Sequence, residues 1–442
     1  MLLIHASTDL AQQIPLWPSI PFFIILLAIA VGPLIAEEWW ENNRNKLLVS
    51  AVLSIPTIYY LVSMGLTQHL EHQILGDYIP FIVLLTSLFV ITGGVHLSGD
   101  IKAKPWVNTL FLGLGYLLAS FMGTTGAAML LIRPVISINQ ERKYTIHTIL
   151  FFIAAVANCG GLLTPLGDPP LLMLYLRGAS FTWFFNLIPE WAFTGALLLI
   201  IYYIVDSKYY KKEPKENLEA DAREIEPIRL TGAMNFIYLL GVILSVAFIN
   251  HDVIPDMAKE DAPFWLKHLR EIILVALTAI AYFTTPNTTR EKNKFSWGPI
   301  IEVAVVFIGI FITMTPTLIY LKQHAPGMGL TEAWQFYYST GFLSAFLDNT
   351  PTAVAFHSVA SSIPIADNVA VVANVAEHIL KAIATSAVFF GALTYIGNGP
   401  NFMVKSIAED HGIKMPSFFG YMFKFSLIVL LPIYILTQLL FI

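Results

Sequence analysis

Long apolar runs separated by short polar interruptions extend through almost the whole chain, and their lengths predict the elements. Runs at about 20–35, 47–66 and 78–97 approach the roughly 20 residues that a helix needs to cross a bilayer. Two shorter arms follow, Trp106–Phe121 and Ala127–Ile138, parted by Gly123-Thr-Thr-Gly126. Each is short for a crossing but long enough to reach the midplane and return, which predicts a re-entrant hairpin. An interrupted segment from Tyr144 to Arg177 and a full span at Phe185–Val205 complete this first set. After a charged stretch the order recurs: spans near 230–249, 271–283 and 300–321, then hairpin arms near 333–347 and 353–363. The second hairpin tip is Asp348-Asn-Thr-Pro-Thr352, followed by an interrupted segment at 375–407 and a last span at 418–440.

The two interruptions share one frame. Gly161-Leu-Leu-Thr-Pro-Leu-Gly-Asp-Pro-Pro170 aligns with Gly391-Ala-Leu-Thr-Tyr-Ile-Gly-Asn-Gly-Pro400. Proline lacks the donor and glycine costs entropy, so neither copy continues a helix. Each break bares backbone polar groups inside an apolar segment, and lipid tolerates that only where protein or a polar cavity covers them. The hairpin tips align as well. Thr125 falls on Thr350, an offset of 350 − 125 = 225, and Thr164 falls on Thr394, an offset of 394 − 164 = 230. Two matches in the same order imply an internal duplication.

The expected fold is therefore an all-α polytopic membrane protein built as an inverted repeat. Each half has five transmembrane helices, one of them broken, plus a re-entrant helical hairpin. Five crossings are odd, so the second half lies inverted, as in many secondary transporters. The divisions are a lead at 1–17 without the pattern of a signal peptide, a first repeat at 18–206, a charged cytoplasmic linker at 207–228 and a second repeat at 229–442.

Composition narrows the class. The chain is 56% hydrophobic and 12% charged, against about 25% charge in soluble domains. Net charge is −5 with no basic cluster, so nucleic acid is not an expected partner; membrane lipid and small inorganic ions are, and a homodimer is a candidate assembly. The single cysteine, Cys159, excludes an internal disulfide and reads as a packed small residue. Arg142, Lys143, Lys208, Lys211, Lys212, Arg290 and Lys292 gather on one side, and few basic residues, such as Arg177, Lys259 and Arg270, fall on the other. The positive-inside rule makes the first side cytoplasmic and puts both termini outside a bacterial inner membrane.

Tips and breaks carry the candidate chemistry: Thr124, Thr125, Asn158, Thr164 and Asp168 in the first half, Asp348, Asn349, Thr350, Thr352, Thr394 and Asn398 in the second. These are hard oxygen donors suited to small cations. Sodium candidates are Thr125, Asp168, Asn349 and Thr350; proton-linked candidates are Asp168, Asp348, His96 and His357. Asp168 before two prolines also reads as a helix N-cap. Asn398 and Thr350 have the same capping alternative. Asp348, an acid at a tip deep in the membrane, reads as functional. Glu377, His378 and Lys381 read as pairing with one another.

Gly123-Thr-Thr-Gly-Ala-Ala-Met-Leu-Leu-Ile-Arg-Pro134, Asn158 to Pro170, Leu347-Asp-Asn-Thr-Pro-Thr352 and Thr394-Tyr-Ile-Gly-Asn-Gly-Pro-Asn401 resemble the ion transporter superfamily, its citrate-transporter-like domain group, and most nearly the NhaD-type sodium/proton antiporter branch. The resemblance implies that Asp168, Asp348 and their neighbours face an ion path. The superfamily's carboxylate transporters carry Ser-Asn-Thr at each tip. Here Gly123-Thr124-Thr125 and Asp348-Asn349-Thr350 stand there, without either serine.

The functional expectation is a sodium (cation)/proton antiporter working by alternating access, with no cofactor beyond the transported or coupling Na+ and H+. The alternative is sodium-coupled uptake of a di- or tricarboxylate. Against that, a fixed carboxylate repels an anion by roughly 3 kcal/mol at about 5 Å and an effective dielectric near 20. Export of an oxyanion is a weaker form of the same class. An intramembrane aspartyl protease using Asp168 and Asp348 is disfavoured, because the repeat pairs Asp168 with Asn398. The protein is not expected to be an enzyme.

Overall fold

The apolar runs fold as helices throughout the computed structural model, which describes residues 13–223, 225–259 and 261–442. Most of the lead at 1–17 lies outside the described residues. The chain opens with α1 (Ile20–Ile35), α2 (Asn43–Ser63) and α3 (Thr67–Thr92), the last carrying a π turn at His72–Tyr78. A short strand β1 (His96–Asp100) leads to the first hairpin, α4 (Pro105–Met122) and α5 (Thr124–Ile138). The first interrupted segment is α6 (Ile146–Ala155), an irregular stretch, and α7 (Pro169–Leu176); α8 (Ile188–Tyr210) follows.

The second set starts at α10 (Met234–Phe248), once α9 (Lys215–Arg223) and β2 (Glu226–Thr231) are counted in the linker. Then come α11 (Leu269–Thr284), α12 (Gly298–His324) and the second hairpin, α13 (Ala333–Phe346) and α14 (Asn349–Ala360). The second interrupted segment is α15 (Glu377–Phe390) and α16 (Gly399–Asp410), and α17 (Phe418–Phe441) closes the chain.

Among the described residues, seven helices are long and apolar enough to cross a membrane. One is α4, a hairpin arm that the sequence reads as a half-crossing. By length alone it qualifies; its tip nevertheless ends against the break in the next segment, because the Thr124 amide donates to Gly167 O at 2.8 Å. Both ends of this hairpin meet across it. A Cβ at Gly115 would lie 2.9 Å from the Leu131 side chain, and Asn108 Nδ2 donates to Asn139 Oδ1 at 2.8 Å where the arms open.

The helices sort into two groups. In one, α12 lies along α2 and α3, and α11 packs on α3 and α10. In the other, the hairpins clasp the interrupted segments crosswise: α5 packs along α16, and α14 along α7. Each hairpin's return arm thus lies against the half-helix of the other half. Burial follows the grouping, with 89% of the Ile146–Leu163 window buried against 28% of the α2 window. A helix hydrophobic all round belongs in a core, and α6 with its continuation is one.

The linker is folded rather than a bare connection. β2 pairs antiparallel with β1, aligning His96 with Thr231. Asp221 on α9 accepts from the Ala103 amide at 3.0 Å, just before α4. Glu213 accepts from the Lys143 and Tyr144 amides, both at 2.9 Å. Beside it, Asp206 pairs with Arg142 at 2.7 Å and with His147 at 2.8 Å. Burial opposes the Arg142 charge, but the hydrogen bond and charge of Asp206 outweigh it and raise the guanidinium pKa. Glu377 and Lys381 do not pair with one another: Glu377 accepts from Trp183 Nε1 at 3.0 Å, and Lys381 reaches Glu190 at 3.7 Å.

Candidate functional site

Both breaks are built alike. Thr164 and Thr394 leave the helical region at φ −145°, ψ 160° and φ −136°, ψ 167°. Asp168 and Asn398 then hold extended backbone before the next half-helix, at φ −147°, ψ 143° and φ −147°, ψ 138°. Each threonine hydroxyl donates to a carbonyl at the end of the neighbouring hairpin arm, Thr164 to Ser120 O and Thr394 to Ala345 O. Ser120 and Ala345 differ by 345 − 120 = 225, the offset that aligns the tips. The Thr164 and Thr394 hydroxyl oxygens also accept from the amide two residues on, Leu166 N and Ile396 N, both at 3.2 Å.

Glycine is required where each break folds onto itself. A Cβ on Gly167 would stand 1.9 Å from Gly161 O, and one on Gly397 would stand 2.6 Å from Gly391 O. At the first tip Gly123 has φ +80°, a conformation that favours glycine.

The tips and breaks meet at one carboxylate. Asp168 is 1% exposed. Its Oδ1 accepts from Thr124 Oγ1 at 2.8 Å and from Asn398 Nδ2 at 3.1 Å, and its Oδ2 accepts from Asn349 Nδ2 at 2.5 Å. Thr124 and Asn349 are the first residues of the return arms α5 and α14 and differ by 349 − 124 = 225; Asp168 and Asn398 differ by 398 − 168 = 230. One hairpin tip from each half and the partner break therefore all converge on Asp168, and all three donors are neutral.

The capping roles fall differently from a reading by local motif. The Asp168 side chain makes no cap bond to α7, nor does Asn398 to α16. Asp348 is the side chain that caps: its Oδ1 accepts from Thr350 N at 2.9 Å, and it is only half-buried. Thr352 donates to Asp348 O at 3.0 Å, and Thr350 Oγ1 faces Asn349 Oδ1 at 3.5 Å. Thr125, together with Thr124, lines a mainly apolar cavity of about 90 Å³ whose other walls include Leu88, Phe89, Pro299 and Val303.

The two histidines stand apart from this centre. His96 is on β1 and its Nδ1 lies 2.8 Å from Asn293 Oδ1. His357 is buried in α14, with Nε2 2.9 Å from Ala373 O and Nδ1 without a partner among the described residues. Cys159 is buried with its sulfur 3.3 Å from Tyr434 Oη.

One functional candidate was not singled out from sequence. Asn401, on the first turn of α16, is fully buried; it donates to Gly391 O at 2.8 Å and to Thr394 O at 2.9 Å. Its Oδ1 accepts from Asn158 Nδ2 at 2.6 Å. Its signal was its place three residues beyond Asn398, one turn along the same helix face.

Residues 11–442 match the family described as "Putative citrate transport". The chain belongs to that family. The family is described as one of transport, and its long apolar helices make this member a multi-pass membrane protein of the citrate-transporter-like group. A curated relative, inner membrane protein YbiR of Escherichia coli (strain K12), is 29% identical over 132 residues. That stretch covers 27% of this family member and 35% of the relative, so the chain spans about a third of the relative's length.

Proposed function

We propose that the protein is a secondary transporter of the bacterial inner membrane that exchanges sodium, or a similar small cation, for protons at Asp168. The observation that carries this reading is a fully buried carboxylate whose three partners are all neutral hydrogen-bond donors. An ionised acid held away from water costs several kcal/mol unless a counter-charge is present. A bound proton or alkali cation offsets that cost, and each excludes the other from the same oxygens. Competition of this kind gives exchange once the centre moves between two sides only when loaded. Thr124 and Asn349 tie both hairpin tips to the carboxylate, so loading is felt by each. Inverted halves, with both termini outside, would present the tips to opposite faces of the membrane. A homodimer is the assembly we favour. The two aspartates do not form a shared-proton dyad of the protease kind: Asp348 Oδ1 caps Thr350, while Asp168 is held by Thr124, Asn349 and Asn398.

Sodium-coupled uptake of a di- or tricarboxylate is the second reading. The family description favours it. So does a cleft of about 630 Å³ between α5 and the end of α16, lined by Arg133, Arg142, Lys143, His411 and Lys414. No lysine or arginine contacts Asp168 itself among the described residues, so an anion at that centre would need a positive partner such as a bound sodium ion.

Purified protein in vesicles separates the two. Under antiport, a sodium gradient drives proton movement without citrate, and Asp168→Asn removes it. Citrate accumulation that needs sodium, with no exchange in its absence, would establish the second reading instead.

A further inference from the structure

The buried amides around Asp168 have orientations that chemistry dictates, and the sequence of constraints starts at Asn401. One end of the Asn401 side chain faces two backbone carbonyls, Gly391 O at 2.8 Å and Thr394 O at 2.9 Å. Only an NH2 group satisfies both, so the other end is an acceptor. Asn158 meets that acceptor at 2.6 Å and Ile153 O at 2.8 Å with the same end, which must again be its NH2 group. Asn158 Oδ1 then faces Asn398 Nδ2 at 3.2 Å. The Asn398 NH2 group lies within reach of three acceptors: Asn158 Oδ1, Ala157 O at 3.3 Å and Asp168 Oδ1 at 3.1 Å.

We infer that Asn401 is a positioning residue for Asp168, holding Asn158 and, through it, Asn398 so that the carboxylate is met by an N–H rather than by a carbonyl. The inference rests on the proposed role of Asp168 as the coupling carboxylate. It adds a reason why a doubled frame holds a single acid. The positions equivalent to Asn158 and Asn401 are Val388 (158 + 230) and Leu171 (401 − 230), neither of which has a side chain that can hydrogen-bond. The relay runs one way, from the second break to the first.

The relay has a reach that local capping lacks. Asn158 and Asn401 are 243 residues apart, and Asn398 and Asp168 are 230 apart. It also takes one acceptor position on each of the Gly391 and Thr394 carbonyls. The titratable group that acts on Asp168 is Asp348, from the second tip; Asp168 itself acts on Cys159, at the start of the first break. The other contacts of Asp168 are threonine and asparagine.

The test compares pH profiles in the full-length protein. Asn401→Leu removes the lock at matched size, and Asn401→Ser keeps one donor and one acceptor. The carboxyl band of Asp168 is read by infrared difference spectroscopy across pH and identified by its loss in Asp168→Asn, whether or not exchange occurs. Losing a donor to the ionised form favours the protonated one, so in Asn401→Leu the band persists to higher pH by about one unit. The sodium concentration for half-maximal exchange rises about tenfold, and Asn401→Ser stays near wild type in both. Asn158→Ala, which deletes the acceptor facing Asn398, moves the band in the same direction and replaces Asn401→Leu if that chain does not assemble. A folded Asn401→Leu or Asn158→Ala with the wild-type band profile overturns the relay. Normal exchange in Asp168→Asn overturns the coupling reading instead, and the band still reports on Asn401.

Discussion

The two helix breaks have nearly the same backbone and opposite chemistry. Asp168 and Asn398 share φ and differ by 5° in ψ, and each follows a threonine that donates to the neighbouring hairpin arm. Yet the first break presents an acid and the second an amide that donates to it at 3.1 Å. The difference teaches that the frame and the charge are separable. Gly, Thr and Gly at fixed spacing build the break; the residue before the half-helix decides whether it can hold a proton or a cation.

The comparison can be broken most severely by exchanging the two residues. Asp168→Asn alone should lower sodium/proton exchange in vesicles by at least about a hundredfold, since no ionisable group remains at the centre. Adding Asn398→Asp returns a carboxylate to the equivalent place, and exchange should recover above the single variant. No recovery would deny that the frame and the charge are separable. Asn398→Asp alone sets two acids against each other, and exchange should fall while moving to higher pH, because like charges cannot both ionise cheaply.

A middle-sized effect tests the shared frame. Gly167→Ala drives a methyl group into Gly161 O, and Gly397→Ala drives one into Gly391 O at a longer 2.6 Å. Both should destabilise the folded protein by about 2 kcal/mol, Gly167→Ala more than Gly397→Ala. Thermal unfolding in detergent reads the order, and equal losses would deny that the first break is the tighter.

The smallest effect concerns the tips. Asparagine caps helices about as well as aspartate, so Asp348→Asn should keep the bond to Thr350 N and leave exchange within about threefold of wild type. A complete loss of exchange would move part of the coupling charge from the first break to the second tip.

How much of this was legible in the sequence depended on distance along the chain. The breaks were legible because glycine and proline act on their own backbone, and the hairpin turns because Gly123-Thr-Thr-Gly126 and Asp348-Asn-Thr-Pro-Thr352 interrupt their apolar runs. The Ser120–Ala345 correspondence follows from the same offset as Thr125–Thr350. What stayed hidden were partnerships across the two halves. Asp-Pro-Pro reads locally as a cap, but the Asp168 side chain finds better donors on Thr124, Asn349 and Asn398, drawn to it by packing rather than by neighbouring sequence. Thr125 is chemically as good a donor as Thr124, and only the turn at Gly123 determines which of them points at the acid. The linker was unreadable for a related reason: a run of mixed charge resembles a solvated coil until Glu213 and Asp221 are seen to occupy backbone amides elsewhere.

Those two acids bear on the order in which the chain is made. Glu213 and Asp221 hold amides at the open end of the first hairpin, and β2 supplies the only strand partner of β1 among the described residues. Synthesis is directional, and units fold as they emerge. The first half therefore reaches membrane insertion before its own end is fastened, and stays unfastened until Thr231 has left the ribosome. A chain truncated at residue 210 would contain every helix of that half and still lack its clasp.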